Sequence, residues 1–439
     1  MLDRLLPRKE EIFDLIGIGF GPSNLAVGAA LSDQAPKSRR YAARFLERKS
    51  GFSWHQDMLL DGARMQVAFL KDLATMRDPT SRFTFLNYVF QAGRLSKFAN
   101  LKTFYPSRRE FTEYLAWAAA ELRGLVQYNA QVTSIDPIIE NRQVFALQVS
   151  YDDESGGNRS VAARNVILST GPTPWTPFAI EDAAKDRVFH SSEFLTKVAR
   201  LSRTSTGNVL VVGGGQSAVE CALYLYAQAE TSRITLCSRG HTLRTMDDSC
   251  FVNEIFLPEN VDLWQRLDKT ARSNLLAEYR HSNYAAVEES LLQRLYSILY
   301  EQSVCGAEKR MEVLTGTDVM GLEHRGETVE CLLRRRYDSG AVDLRHFDYV
   351  VFATGYRSEL NARLVRNLNG ILRRDEDGGY VCNRWYQLAT APNVAAKIFA
   401  FGINEMTHGI GDTLLSNMAV RAGEILASLE AGVKPNAFA

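Results

Sequence analysis

Residues 12–24 read Ile12-Phe13-Asp14-Leu15-Ile16-Gly17-Ile18-Gly19-Phe20-Gly21-Pro22-Ser23-Asn24. A short apolar run passes straight into a loop with glycine at alternate positions, and the following LAVGAALSD has helical character. Strand, tight glycine loop and helix together open a dinucleotide-binding unit. Glycine lets the chain turn sharply and approach a pyrophosphate, which rests on the helix N-terminus. The usual third glycine would fall at position 22, where Pro22 stands, and proline is tolerated in a first helical turn. A second strand, Ala43 to Leu46, ends at Glu47, 30 residues beyond Gly17. An acidic side chain there suits ribose hydroxyls. Gly17, Gly19, Gly21, Pro22, Ser23 and Glu47 therefore form a candidate site for FAD or NAD.

The same grammar recurs at Asn208–Gly215, where VLVVGGGQSAVECALYL gives Gly213-x-Gly215-x-x-Ala218 and a helix from Ser217 to about Ala227. The next strand, Arg233 to Cys237, ends in Ser238-Arg239 rather than in an acid. Arginine suits a 2′-phosphate through charge-assisted hydrogen bonds, which favours NADPH over NADH. The fold class expected is α/β, with two Rossmann-like dinucleotide-binding domains and a small, mainly helical substrate domain.

The rest of the chain fits around these units. Tyr105 to Leu122 reads as an amphipathic helix opened by Ser107, and Val126 to Val161 as mostly β. Strands at Asn165–Leu168 and His346–Thr354 each end in a Thr-Gly turn, the second holding Thr354. Residues 245–310 are helix-rich. Lys397 to Phe401 reads as a strand, and Thr407-His408-Gly409-Ile410-Gly411-Asp412-Thr413-Leu414-Leu415 as the start of a helix reaching Glu430. A small-residue helix start of this kind suits a flavin ring carbonyl, which nominates Asp412 and Leu414. The expected division is an FAD-binding domain over 1–200 and 346–439, an NADPH-binding domain over 201–250 and 311–345, and a substrate-binding insertion over 251–310.

With 51 basic and 51 acidic residues the net charge is zero, which gives no sign of nucleic acid or a membrane surface as partner. The N-terminal apolar run leads into a glycine loop rather than a cleavage site, and no run is long enough to span a membrane. The six cysteines form no CxxC pair, which fits reduced thiols in the cytoplasm and counts against a disulfide reductase. No metal is expected.

Met65 to Asn87, MQVAFLKDLATMRDPTSRFTFLN, matches neither pattern. It places Lys71 after an apolar run and directly before Asp72. A lysine in apolar surroundings needs a partner of some kind, and Asp72 and Asp78 are the structural candidates.

Taken together, GFGPSNL, SWH, MQVAFLKDLATMRDPTSRFTFLNY, GGGQSA, DDSCFVNEIF, HSNY, ATGY and HGIGDTLLS resemble the N-hydroxylating flavin monooxygenases of siderophore biosynthesis, the L-ornithine N5- and L-lysine N6-monooxygenases. The resemblance spans nearly the whole chain. It implies FAD and NADPH as cofactors, molecular oxygen as co-substrate, a homo-oligomer (tetramer or dimer), and hydroxylation of a side-chain amine by a C4a-hydroperoxyflavin. It also implies site residues. Lys71 would pair with the substrate carboxylate, and Asn253 and Asn283 would hydrogen-bond the amino-acid end. Gln66 would lie near flavin and nicotinamide, and Trp54 and His55 would line the flavin. Gln216, Ser217 and Arg239 would hold NADPH, with Tyr284 near its adenine end. The family commonly shows Ser-Asp-Thr-Leu-Leu where this chain has Gly411 before Asp412. FLKDLATMRDP is closer to the ornithine enzymes, so L-ornithine is the expected substrate, with L-lysine or another amine as the alternative. Ketone and sulfide monooxygenases carry a Phe-x-Gly-x-x-x-His fingerprint, which is missing here.

Overall fold

The structure, a computed structural model, describes residues 12–34, 41–200, 207–228, 232–306, 309–338 and 340–430. Residues 1–11, 201–206 and 431–439, assigned to domains above, lie outside the described residues.

The first sheet is built on Ile12–Ile18, paired in parallel with Ala43–Leu46 on one side and Asn158–Leu168 on the other. Leu15 and Ile16 are fully buried on its two faces, as a central parallel strand requires. On its other side Asn158–Leu168 is long enough to serve two neighbours. Its first half pairs antiparallel with Gln143–Asp152, and its second half runs parallel to Lys397–Ala400 from late in the chain. The helix Pro22–Ser32 lies on this sheet and packs against the last described helix, Met418–Glu430.

The second sheet is all parallel, in the order Met311–Leu314, Arg233–Cys237, Asn208–Val212, Tyr349–Phe352, Val188–His190. This shifts the expected domain limits. Val188–His190 and Tyr349–Phe352, both assigned to the FAD-binding domain from sequence, hydrogen-bond in the sheet of the second glycine loop. Val350, Val351 and Phe352 are all buried there. A short apolar run shows that a strand is buried but not which sheet buries it. Three antiparallel strands, Thr317–Arg325, Thr328–Arg335 and Val342–Phe347, cover this sheet, with Val329, Cys331 and Leu333 against Leu210 and Val350.

The insertion is helical as expected, with helices Asn260–Arg266, Lys269–Tyr279 and Glu289–Cys305. The predicted helix after Tyr105 runs Arg108–Glu121, capped by Ser107, whose hydroxyl accepts from the Glu110 amide at 3.1 Å. The stretch from Thr407 differs from expectation. A short helix, Glu405–His408, stops at Gly409 (φ 77°), and the turns Ile410–Thr413 and Leu415–Asn417 precede the long helix, which starts only at Met418. The break is at Gly409, whose left-handed φ ends the helix, and only glycine fits there because the indole of Trp264 occupies the space where a Cβ would stand. Among the described residues no helix is long and apolar enough to cross a membrane.

Candidate active site

At the first loop, glycine is required at two points. A Cβ at Gly17 would enter the Phe45 ring, and Gly19 has φ +83° with its open side against the Ser169 carbonyl. The helix then starts at Pro22 with Gly21 as N-cap and no side chain capping it. Its first-turn amides, at Ser23 among others, are left for an anion. Glu47 stands at the loop as expected, but it also builds it. Its Oε2 accepts from the Phe20 amide at 2.7 Å and its Oε1 from the Lys49 amide at 3.0 Å. An open glycine cradle with an uncapped helix start fits a dinucleotide diphosphate.

Trp54 and His55 follow, their rings edge to face at 4.6 Å. His55 has a left-handed backbone (φ 47°) and is exposed. Desolvation by the protein around it, then the charges of Arg108 and Lys49, lower its pKa to about 4, so the ring is neutral at physiological pH.

The second loop repeats the design. Gly213 (φ +155°) faces the Ala353 carbonyl, and Gly215 lies against Ala285, 3.5 Å from where its Cβ would be. That approach brings the insertion onto the loop. Gln216 fastens it there: its amide donates to the Ala286 carbonyl at 3.1 Å, and its Oε1 accepts from the Glu288 amide at 2.8 Å. Ser217 is half-buried and Arg239 exposed, and Arg239 has no ion pair among the described residues. The Thr354 hydroxyl donates to the Trp175 carbonyl, shaping the turn after its strand.

The Met65–Asn87 stretch is mostly irregular and is held from both ends. Met65 and Phe69 amides donate to Pro106 and Phe104 carbonyls at 2.9 and 2.8 Å. Buried Asp72 accepts from the Ala74, Thr75 and Phe85 amides, so it folds the segment instead of pairing with its neighbour. Asp78 is engaged by Thr80. Lys71 is half-buried, has no ion pair among the described residues, and has its pKa lowered by desolvation. Gln66 is exposed nearby.

The remaining candidates meet where the insertion touches the first unit. The turn Val252–Phe256, which carries Asn253, packs on Ile410–Thr413, with the Phe256 backbone 3.8 Å from a Cβ built on Gly411. Asn253 is half-buried and its amide group donates to the Asp248 carbonyl at 2.8 Å, while Asn283 has no side-chain hydrogen bond among the described residues. Tyr284, expected near the adenine end of NADPH, has its hydroxyl hydrogen-bonded to Thr413 Oγ1 at 3.1 Å. Asp412, expected beside the flavin, turns its carboxylate inward, accepting from the Asn404 amide at 2.7 Å and pairing with buried Arg421 at 3.2 Å, so the side chain holds the turn's shape. Leu414 is half-buried just beyond. No hydrogen bond joins Lys71 to Asn253 or Asn283 among the described residues.

Sequence reasoning missed Arg421, Thr413 and Glu405. Glu405 is half-buried beside the Tyr284 hydroxyl, and nothing in its local sequence distinguishes it from a surface carboxylate.

Comparison with known proteins agrees with this geometry. Residues 11–358 match the family described as L-lysine 6-monooxygenase/L-ornithine 5-monooxygenase. The chain is 40% identical over 406 residues to an L-ornithine N(5)-monooxygenase of Burkholderia cepacia, covering 92% of this chain and 91% of that one. Among solved structures it is similar to the ornithine N-hydroxylase of Kutzneria sp. 744 in its FADred–NADP+–L-orn form (34% identity, TM-score 0.90, 96% and 99% covered). It is also similar to the L-lysine 6-monooxygenase of Pseudomonas syringae (32% identity, TM-score 0.84, 96% and 100% covered). Two glycine cradles, a helical insertion seated on the second, and a match over most of its length lead to one conclusion: this chain belongs to the L-lysine 6-monooxygenase/L-ornithine 5-monooxygenase family.

Proposed function

We propose that the chain hydroxylates the side-chain amine of L-ornithine, using FAD, NADPH and molecular oxygen, to supply a hydroxamate siderophore or related product. The observation that carries the reading is Lys71: a half-buried cation between the two nucleotide loops in sequence, with no ion pair among the described residues. It suits the fixed carboxylate of a free amino acid. A diamine without a carboxylate would leave it uncompensated. The ornithine-like FLKDLATMRDP sequence and the names of the similar proteins support ornithine over lysine. The two differ by one methylene, worth about 1–3 kcal/mol in an apolar pocket.

The first loop, with Gly17, Gly19, Gly21, Pro22, Ser23 and Glu47, would hold FAD, with Trp54, His55, Gln66, Thr354, Asp412 and Leu414 around it. The second loop, with Gly213, Gly215, Gln216 and Ser217, would hold NADPH, with Arg239 on its 2′-phosphate and Tyr284 beside it. Together the cofactors supply the hydride and the activated oxygen. The protein's own residues bind and orient the amino acid: Lys71 at the carboxylate, Asn253 and Asn283 at the same end. They must also present a neutral amine, because only that form has the attacking lone pair. With a reference pKa near 10.4, roughly one amine in a few hundred is neutral at pH 8. Desolvation of the kind that lowers the Lys71 pKa shifts a bound amine the same way.

The same reading includes a cytoplasmic location and a homo-oligomer. An exposed apolar stripe, Tyr296, Tyr300 and Val304 on the helix Glu289–Cys305, gives a second copy a surface to cover. The test is hydroxylamine formation from L-ornithine and from L-lysine with FAD supplied, beside NADPH oxidation. Product from ornithine supports the proposal. Product from lysine alone moves the substrate by one methylene. NADPH oxidation giving only hydrogen peroxide with both points to another amine, and no NADPH oxidation ends the enzymatic reading.

A further inference from the structure

An amino acid entering this site brings more charge than Lys71 can balance. With its side-chain amine neutral, the substrate carries one carboxylate and one α-ammonium. Lys71 answers the carboxylate. The α-ammonium must also leave water, and a buried charge without a countercharge is costly. Asn253 and Asn283 offer only neutral dipoles.

The carboxylates around the junction can be taken in turn. Asp412 is bound to Arg421, the two side chains 0% and 3% exposed. Glu424 and Asp262 both pair with Arg384. Glu405 remains. It is half-buried and has no ion pair among the described residues. It faces the hydroxyl of Tyr284, which adjoins Asn283 in sequence and bonds Thr413. Thr413 closes the turn that packs on the segment carrying Asn253. Glu405 thus lies at the point shared by the two insertion segments expected to hold the amino-acid end.

We propose that Glu405 is the countercharge for the substrate's α-ammonium and a determinant of specificity for α-amino acids over simple amines. The claim rests on the substrate reading above. Pairing with the α-ammonium, not the side-chain ammonium, is the arrangement consistent with the chemistry: a carboxylate beside the side-chain nitrogen would hold it protonated and remove its lone pair. The surroundings of Glu405 agree. Desolvation first, and then the charge of Asp412, raise its pKa, while Tyr284 and Arg280 oppose the rise. A carboxylate in that state gains from an arriving cation.

The test is calorimetric titration of the FAD-loaded protein with L-ornithine and with 5-aminopentanoate, which is ornithine without its α-amino group. The wild type is expected to favour ornithine. Glu405→Gln should weaken ornithine binding about 10- to 100-fold and leave 5-aminopentanoate nearly unchanged, so the preference collapses. Glu405→Asp, which keeps the charge, should retain part of it. Flavin content and melting temperature of each variant separate this from a folding defect. Ornithine binding unchanged in Glu405→Gln, or an equal loss for both ligands, overturns the proposal while a wild type that hydroxylates ornithine keeps its function. A wild type that neither binds nor hydroxylates L-ornithine overturns both.

Discussion

Lys71 and Arg239 are cations with no ion pair among the described residues, and each makes a separable prediction. Lys71→Ala should raise the KM for L-ornithine by about 100-fold, the cost of leaving a buried carboxylate unpaired, with flavin reduction by NADPH largely intact. Steady-state kinetics beside anaerobic reduction would show the split. The Lys71 pKa lies below the ordinary lysine value because burial disfavours its charge. As pH rises through that lowered pKa, the free enzyme loses the cation and affinity for the carboxylate falls. The KM should therefore climb at a lower pH than the titration of an exposed lysine would bring it. Arg239→Ala should raise the KM for NADPH about 10- to 100-fold and leave that for NADH nearly unchanged, narrowing the preference between the two. His55, with a pKa of about 4, should contribute no ionisation to a rate profile between pH 6 and 9.

At the scale of elements, both glycine loops are fixed by backbone geometry. Gly19→Ala sets a side chain in left-handed backbone, costing about 1–2 kcal/mol, and drives it into the Ser169 carbonyl. The variant should be isolated with little FAD, which the flavin absorbance per chain would report, and should melt earlier. These loops were legible from the sequence because the constraint is local: a tight turn needs glycine wherever the rest of the chain goes. The helix capped by Ser107 was legible for the same reason. What stayed hidden was set by distant partners. Asp412 looked available until Arg421, nine positions on, was seen to bind it, and Glu405 looked like surface until its surroundings were complete. Tyr349–Phe352 announced a buried strand, but its sheet was decided by Asn208–Val212, which no window around it contains. Lys71 lies between these cases. Its apolar flank was plain, whereas the engagement of Asp72 with the Phe85 amide, 13 residues away, was not.

On the scale of the molecule, the two nucleotide units are joined through a buried ion pair. Arg108, on the helix that packs against Pro22–Ser32 of the first unit, binds Glu220 of the second unit at 2.8 and 3.0 Å, the side chains 13% and 5% exposed. Glu220 also accepts from Gln216 at 2.9 Å, so the joint reaches the second glycine loop. Glu220→Ala leaves Arg108 buried without its partner and should cost about 3–5 kcal/mol, seen as an earlier thermal transition. The path of the chain between the units has its own consequence. The second sheet receives its last strand at Tyr349–Phe352, whereas the first waits for Lys397–Ala400 and for the covering helix Met418–Glu430. Domains generally fold as they emerge from the ribosome, the earliest first. Here that order is reversed. The unit whose strands are translated first is completed last, so a nascent chain ending short of the final helix leaves the first glycine-loop unit unfinished, and the flavin proposed for it would load near the end of biosynthesis.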